Sequence, residues 1–126
     1  MDHYKILLID DDAMSSTYTS LILKKIRPKV EVVYYNNAQD ALCFLKNELE
    51  PKPNYIFLDL NMPGMSGWDF MDEFQKLNLN IEVIITTSSN DIKDRDRSKS
   101  YSGISDFFVK PIGVENTQTL FNRVQI

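Results

Sequence analysis

The stretch from Asn54 to Trp68, NYIFLDLNMPGMSGW, places a carboxylate where an apolar run ends. Tyr55, Ile56, Phe57 and Leu58 are followed at once by Asp59, and a turn built on Pro63, Gly64 and Gly67 comes behind it. Burying a carboxylate is costly unless something pairs with it. Polar residues close other apolar runs in the same way. Asp10, Asp11 and Asp12 follow KILLI, Thr87, Ser88 and Ser89 follow EVIIT, and Lys110 and Pro111 follow FFV. Asp10, Asp11 and Asp59 carry three negative charges and Lys110 returns one, which leaves two that a divalent cation would neutralise. The candidate ligands are oxygen donors with no His or Cys nearby, which favours magnesium over zinc. Magnesium takes one or two carboxylates and leaves positions open for phosphate oxygens. The expected occupant is a phosphoryl group, with Asp59 able to act as its nucleophile through an aspartyl-phosphate.

These residues need elements to hold them. Five short runs rich in Ile, Val, Phe and Tyr read as buried strands: Lys5–Ile9, Val30–Tyr35, Tyr55–Leu58, Glu82–Thr86 and Phe107–Val109. Helical spacing lies between them. Tyr18, Leu21 and Ile22 mark a first helix closed by Pro28. Ala38, Leu42, Leu45 and Leu49 mark a second, and Phe70, Met71, Phe74 and Leu77 a third. Leu120, Phe121 and Val124 mark the last, whereas charges from Asp91 to Arg97 swamp the periodicity of Asp91–Tyr101. Strand and helix alternate, which predicts a parallel sheet covered by helices on both faces. In such sheets the site forms outside the carboxyl ends of the strands, where the polar residues fall.

Composition excludes several classes. The 126 residues, 43% apolar and 25% charged, suit one soluble domain with a single sizeable core. A net charge of -4 argues against a nucleic-acid surface, and the one basic cluster, Lys24, Lys25, Arg27 and Lys29, reads as a solvated helix end. The single Cys43 excludes an intramolecular disulfide and fits a reducing compartment. No apolar stretch approaches the ~18 residues of a membrane span, and the start MDHYK lacks a signal-peptide pattern. A cytoplasmic protein without internal repeat or linker is expected.

The Asp10-Asp11 pair after ILLI, LDLNMPGMSG, TTSS and GISDFFVKP together resemble the receiver domain of bacterial two-component response regulators, from about Lys5 to the last helix. The resemblance implies a flavodoxin-like, doubly wound fold, with a five-stranded parallel sheet in order 2-1-3-4-5. It implies that Asp59 accepts a phosphoryl group from a histidine kinase or histidine phosphotransfer protein. Mg2+ would be held by Asp11, Asp59 and the main-chain carbonyl of Asn61, with Asp10 acting through water. Thr87 matches the hydroxyl that turns toward the phosphoryl group, Lys110 the ammonium that pairs with it, and Pro111 a cis-proline. Phe107 falls at the aromatic switch position, where the family often has tyrosine. Pulling Thr87 toward Asp59 would vacate space for Phe107 and reshape the fourth helix, fifth strand and fifth helix as a surface for a downstream protein.

Other residues read more plainly. Asp12 caps the first helix. Trp68 either packs under the third helix, the commoner case, or marks a partner surface, and Cys43 is a small core or semi-buried residue of the second. His3 receives no role, and without an internal histidine the phosphate must come from outside. A receiver would not be an enzyme in the turnover sense, catalysing only its own phosphorylation and hydrolysis. The chain stops after its fifth helix, which suggests a single domain without attached output. Three alternatives compete. A small Mg-dependent phosphatase would want Asp-x-Asp on the first strand and a cap. A flavin carrier would want a phosphate loop where this chain has three carboxylates. A receiver-like module could bind partners without phosphorylation.

Overall fold

In the computed structural model, residues 4–88 and 91–124 are described, apart from the side chain of Val124. His3 and Ser89 lie outside the described residues. Ten elements alternate: β1 Lys5–Ile9, α1 Ala13–Ile26, β2 Glu31–Tyr35, α2 Ala38–Lys46, β3 Tyr55–Leu58, α3 Gly67–Lys76, β4 Glu82–Thr87, α4 Ile92–Ser98, β5 Ile104–Val109 and α5 Val114–Val124. All strand pairs are parallel and the order is β2-β1-β3-β4-β5. No helix among the described residues is long and apolar enough to cross a membrane.

Side chains alternate across the sheet, so each central strand feeds two cores. On one face Leu7, Ile9, Ile56, Leu58, Val83 and Ile85 pack against Leu42 and Leu45 of α2 and Phe70, Met71 and Phe74 of α3. On the other, Ile6, Leu8, Phe57 and Ile84 meet Leu23 of α1 and Leu120 and Phe121 of α5. Hydrophobic burial on both sides leaves the polar work to the strand ends.

Several expectations need correction. Leu49 lies beyond α2 in a turn and is 93% exposed, because Lys46 ends the helix and Asn47 starts the turn. Tyr18 and Leu21 are on the outer face of α1; the inner face is Ser16, Thr19 and Leu23. The Ser16 hydroxyl donates to the Ala13 carbonyl at 2.9 Å, and a small side chain satisfied on its own helix is cheap to bury. Cys43 is exposed, neither core nor half-buried. β5 starts at Ile104, three residues before the apolar run. Val83 pairs with Ile104 and Ile84 with Asp106, so the register slips there and the polar Ser105 and Asp106 hide the strand.

The turn after β3 is fixed by a close approach. The Gly67 N–H donates to the Leu60 carbonyl at 2.9 Å, and a Cβ at 67 would lie 2.7 Å from both the Asp59 carbonyl oxygen and Leu60 Cα. Both obstacles are backbone and cannot rotate aside. Gly67→Ala should therefore lower the unfolding free energy by about 1–3 kcal/mol in urea titrations. A variant as stable as the parent would show that this turn yields freely.

Candidate functional site

The rim at the carboxyl ends of β1, β3, β4 and β5 gathers the polar residues. Asp10, 1% exposed, is held at every polar atom. Its N–H donates to the Tyr35 carbonyl at 3.2 Å and its carbonyl accepts from the Tyr34 hydroxyl at 2.7 Å. Oδ1 accepts from the Asp12 N–H at 2.9 Å, and Oδ2 meets Lys110 Nζ at 2.6 Å. The Asp12 carboxylate instead caps α1, accepting from the Met14 and Ser15 N–H groups. Asp11 is exposed, yet carboxylate oxygens of Asp10, Asp11 and Asp59 lie within 4.8 Å of one another.

Asp59 is 4% exposed, and its N–H donates to the Ile9 carbonyl at 2.9 Å. Its Oδ1 accepts from the Asn61 N–H at 3.3 Å, and its Oδ2 meets Lys110 Nζ at 3.3 Å. Thr87 is fully buried at the end of β4, and its carbonyl accepts from the Lys110 N–H at 2.7 Å. That bond aligns the end of β5, and the Lys110–Pro111 peptide is cis.

Electrostatics distinguish the two buried carboxylates. Lys110 sits closer to Asp10 than to Asp59, so its stronger hydrogen bond goes to Asp10 while its charge is shared by both. Burial pushes the Asp59 carboxyl up, Lys110 pulls it back, and Asp10 pushes it up again, to about 6 from an ordinary 3.8. Burial alone would lower the Lys110 ammonium. The hydrogen bond to Asp10 and the charges of Asp59 and Asp10 outweigh it, and the pKa rises. Three carboxylates against one ammonium leave a net of two negative charges beside an exposed edge. That hard, all-oxygen donor set fits a divalent cation such as magnesium.

Asp10, Asp11, Asp59, Asn61, Thr87 and Lys110 thus meet at one rim, while Ser88 is exposed just beyond Thr87. Phe107 is not at the rim. It is 9% exposed on β5, paired with Ile85, and by strand alternation it faces the same side of the sheet as Thr87. Sequence reasoning missed two partners. The Asn61 amide donates to Thr87 Oγ1 at 3.5 Å, so its side chain contributes besides its main chain. The Tyr34 hydroxyl anchors Asp10 from the neighbouring strand; alternation along the second strand run was the only signal that could have placed it.

The model for the response regulator receiver domain matches residues 6–124. The chain belongs to the response regulator receiver family. The CheAY sensor histidine kinase of Helicobacter pylori is 33% identical over 123 residues, covering 95% of this chain but only 15% of that protein. The rice two-component response regulator ORR13 is 28% identical over 120 residues, covering 94% of this chain and 96% of that one. A two-component response regulator from Legionella pneumophila superposes with a TM-score of 0.83 at 26% identity, covering 97% of this chain and 98% of that one. One from Cytophaga hutchinsonii gives 0.82 at 25% identity, covering 96% of each. The receiver fold, with its 2-1-3-4-5 sheet, is therefore the fold of this chain. As a receiver it belongs to phospho-accepting signalling systems, in which such domains interact with histidine kinases.

The receiver rim holds a measurable strain. Because the folded-state pKa of Asp59 is raised to about 6, above its ordinary 3.8, the ionised form opposes folding. That penalty is full well above pH ~6 and fades as pH falls toward ~4. In EDTA, Asp59→Asn should be more stable than the parent by roughly 1–2 kcal/mol near pH ~8, with the gain vanishing near pH ~4. Urea unfolding at both pH values checks this. A variant less stable at the higher pH would mean that the Lys110 contact outweighs burial.

Proposed function

We propose that Asp59 is the phospho-acceptor of a magnesium-dependent receiver that takes its phosphoryl group from a histidine kinase or histidine phosphotransfer protein. The observation that carries this reading is the ammonium of Lys110 set between two buried carboxylates, one of which, Asp59, it leaves under-neutralised. An Asp59 carboxylate oxygen attacks phosphorus, an O–P bond forms, the N–P bond to the donor imidazole breaks, and that imidazole leaves with a proton from solvent. Asp11, Asp59 and the Asn61 carbonyl would hold Mg2+ directly, with Asp10 acting through water. The ion supplies positive charge against the carboxylates and the phosphoryl oxygens.

Lys110 pairs with the incoming phosphoryl group by a charge-assisted bond, and the Thr87 hydroxyl donates to it. Water later attacks the same phosphorus, the Asp59 O–P bond breaks, inorganic phosphate leaves and the carboxylate is restored. The chain thus catalyses its own modification and turns over no separate substrate. Thr87 moving toward Asp59 frees space on the sheet face it shares with Phe107, and the surface of α4, β5 and α5 carries the change to a downstream protein. This reading places the protein in the cytoplasm, with no direct contact to nucleic acid or membrane.

With Mg2+ and acetyl phosphate, intact mass should rise by one phosphoryl group, and Asp59→Asn should abolish the gain. The adduct should be labile to hydroxylamine, as an acyl phosphate must be. Asp11→Ala should weaken magnesium binding at least tenfold, read by Trp68 fluorescence, with the fold retained. Modification persisting in Asp59→Asn would move the nucleophile elsewhere. Steady release of phosphate from many phosphomonoesters would favour the phosphatase instead.

A further inference from the structure

α4 is attached to the body of the protein in an unusual way. Its sequence, IKDRDRS, buries only Ser98, and its one apolar residue, Ile92, is 69% exposed. The Ser98 hydroxyl donates to the Arg95 carbonyl within the helix, and Asp91 caps the first turn through the Lys93 N–H. Neither contact ties α4 to the sheet. Amphipathic helices normally dock through an apolar stripe. This helix has none to offer.

Its contacts with neighbouring elements include charged side chains set on aromatic rings. The Arg95 guanidinium lies 4.7 Å from the ring centroid of Phe107 on β5. The Arg97 guanidinium lies 4.7 Å from the ring of Trp68, in the first turn of α3, and the Trp68 indole N–H donates to Asp94 Oδ1 at 3.3 Å. Tyr101, just after α4, stacks on Trp68 with centroids 5.5 Å apart and planes 19° apart. Its hydroxyl donates to Asp72 Oδ1 of α3 at 2.8 Å. One set of contacts therefore joins β5, α4 and α3, with Phe107 at one end and Trp68 at the other.

Cation–π attraction depends on the position of the cation over the ring face and falls off when either moves. Apolar burial tolerates sliding; these contacts do not. We propose that α4 is a latch, held down by Arg95 on Phe107 and by Arg97, Asp94 and Tyr101 around Trp68, which resists displacement of the Phe107 ring and transmits that displacement to α3. The regulatory half of this inference rests on the phospho-acceptor reading. A shift of Phe107 toward the space beside Thr87 withdraws the ring from Arg95. Without an apolar anchor α4 then loosens, and Arg97 and Asp94 leave the indole. A receiver held this way sets its switching threshold by the strength of the latch.

The test has two arms on the full chain. In the unmodified protein without metal, amide exchange across Ile92–Ser98 should accelerate roughly two- to fivefold in Arg95→Met and in Arg97→Met, the worth of one exposed cation–π contact. Exchange in β1 and β3 should stay at parent rates, which also shows that both variants are folded. Arg95→Lys, which keeps a cation over the ring, should recover part of the protection. Parent-like exchange of α4 in both methionine variants would overturn the latch.

In the second arm Mg2+ and beryllofluoride are titrated while Trp68, the sole tryptophan, reports by its emission. The parent should shift as the indole loses Arg97 and Asp94. The midpoint in Arg95→Met should fall roughly two- to fivefold, because the latch no longer opposes the change. An unchanged midpoint with normal beryllofluoride binding sinks the latch as a regulatory device and leaves the phospho-acceptor reading intact. Absence of bound fluoride by 19F NMR in the parent overturns that reading and the regulatory role together.

Discussion

The ammonium of Lys110 is the contact on which this rim depends. It brings one positive charge to two carboxylates that the fold has removed from water, at 2.6 Å from Asp10 and 3.3 Å from Asp59. Without it, two buried anions would face each other across the ends of adjacent strands, and breaking such a pair typically costs about 3–5 kcal/mol. Its partition is unequal, and the inequality is useful. Asp10 is satisfied by the ammonium and by the Asp12 N–H. Asp59 is left with the longer contact, and burial and the repulsion of its neighbour hold its carboxyl above the ordinary value.

The rest of the structure serves that placement. β1 and β3 are adjacent, so Asp10 and Asp59 leave the sheet side by side, tied by the bond from the Asp59 N–H to the Ile9 carbonyl. β5 lies two strands away from β3, and only the long Lys110 side chain reaches back across β4. Thr87, between them, fixes the main chain of Lys110 through its own carbonyl. Beneath the rim β1, β3 and β4 are buried on both faces, which makes the platform rigid where charge must be held against its own repulsion. Rigidity at the rim contrasts with α4, whose hold on its neighbours is polar and aromatic. Elements that move are drawn from the least stable part of a structure, and a helix burying one serine fits that description.

Local pattern determined much of this in advance. Apolar runs ending in Asp10, Asp59, Thr87 and Lys110 named the strands, their parallel arrangement and the residues at the rim, because strand period and turn chemistry are properties of neighbours in sequence. The cap at Asp12 was legible for the same reason. Tertiary structure decided what neighbours in sequence cannot encode. It turned Ser16 and Thr19 of α1 inward and left Tyr18 and Leu21 outside, since the packing partner, not the helix, selects the buried face. It brought the Tyr34 hydroxyl to the Asp10 carbonyl across 24 residues and the Asn61 amide to Thr87 across 26, because strand pairing sets those distances. It set Lys110 nearer to Asp10 than to Asp59, a difference of 0.7 Å (3.3 less 2.6) between two pairs that look equivalent in the sequence. And it laid the arginines of α4, whose charges had obscured the helix, onto Phe107 and Trp68, where rings from two other elements give them something to bind.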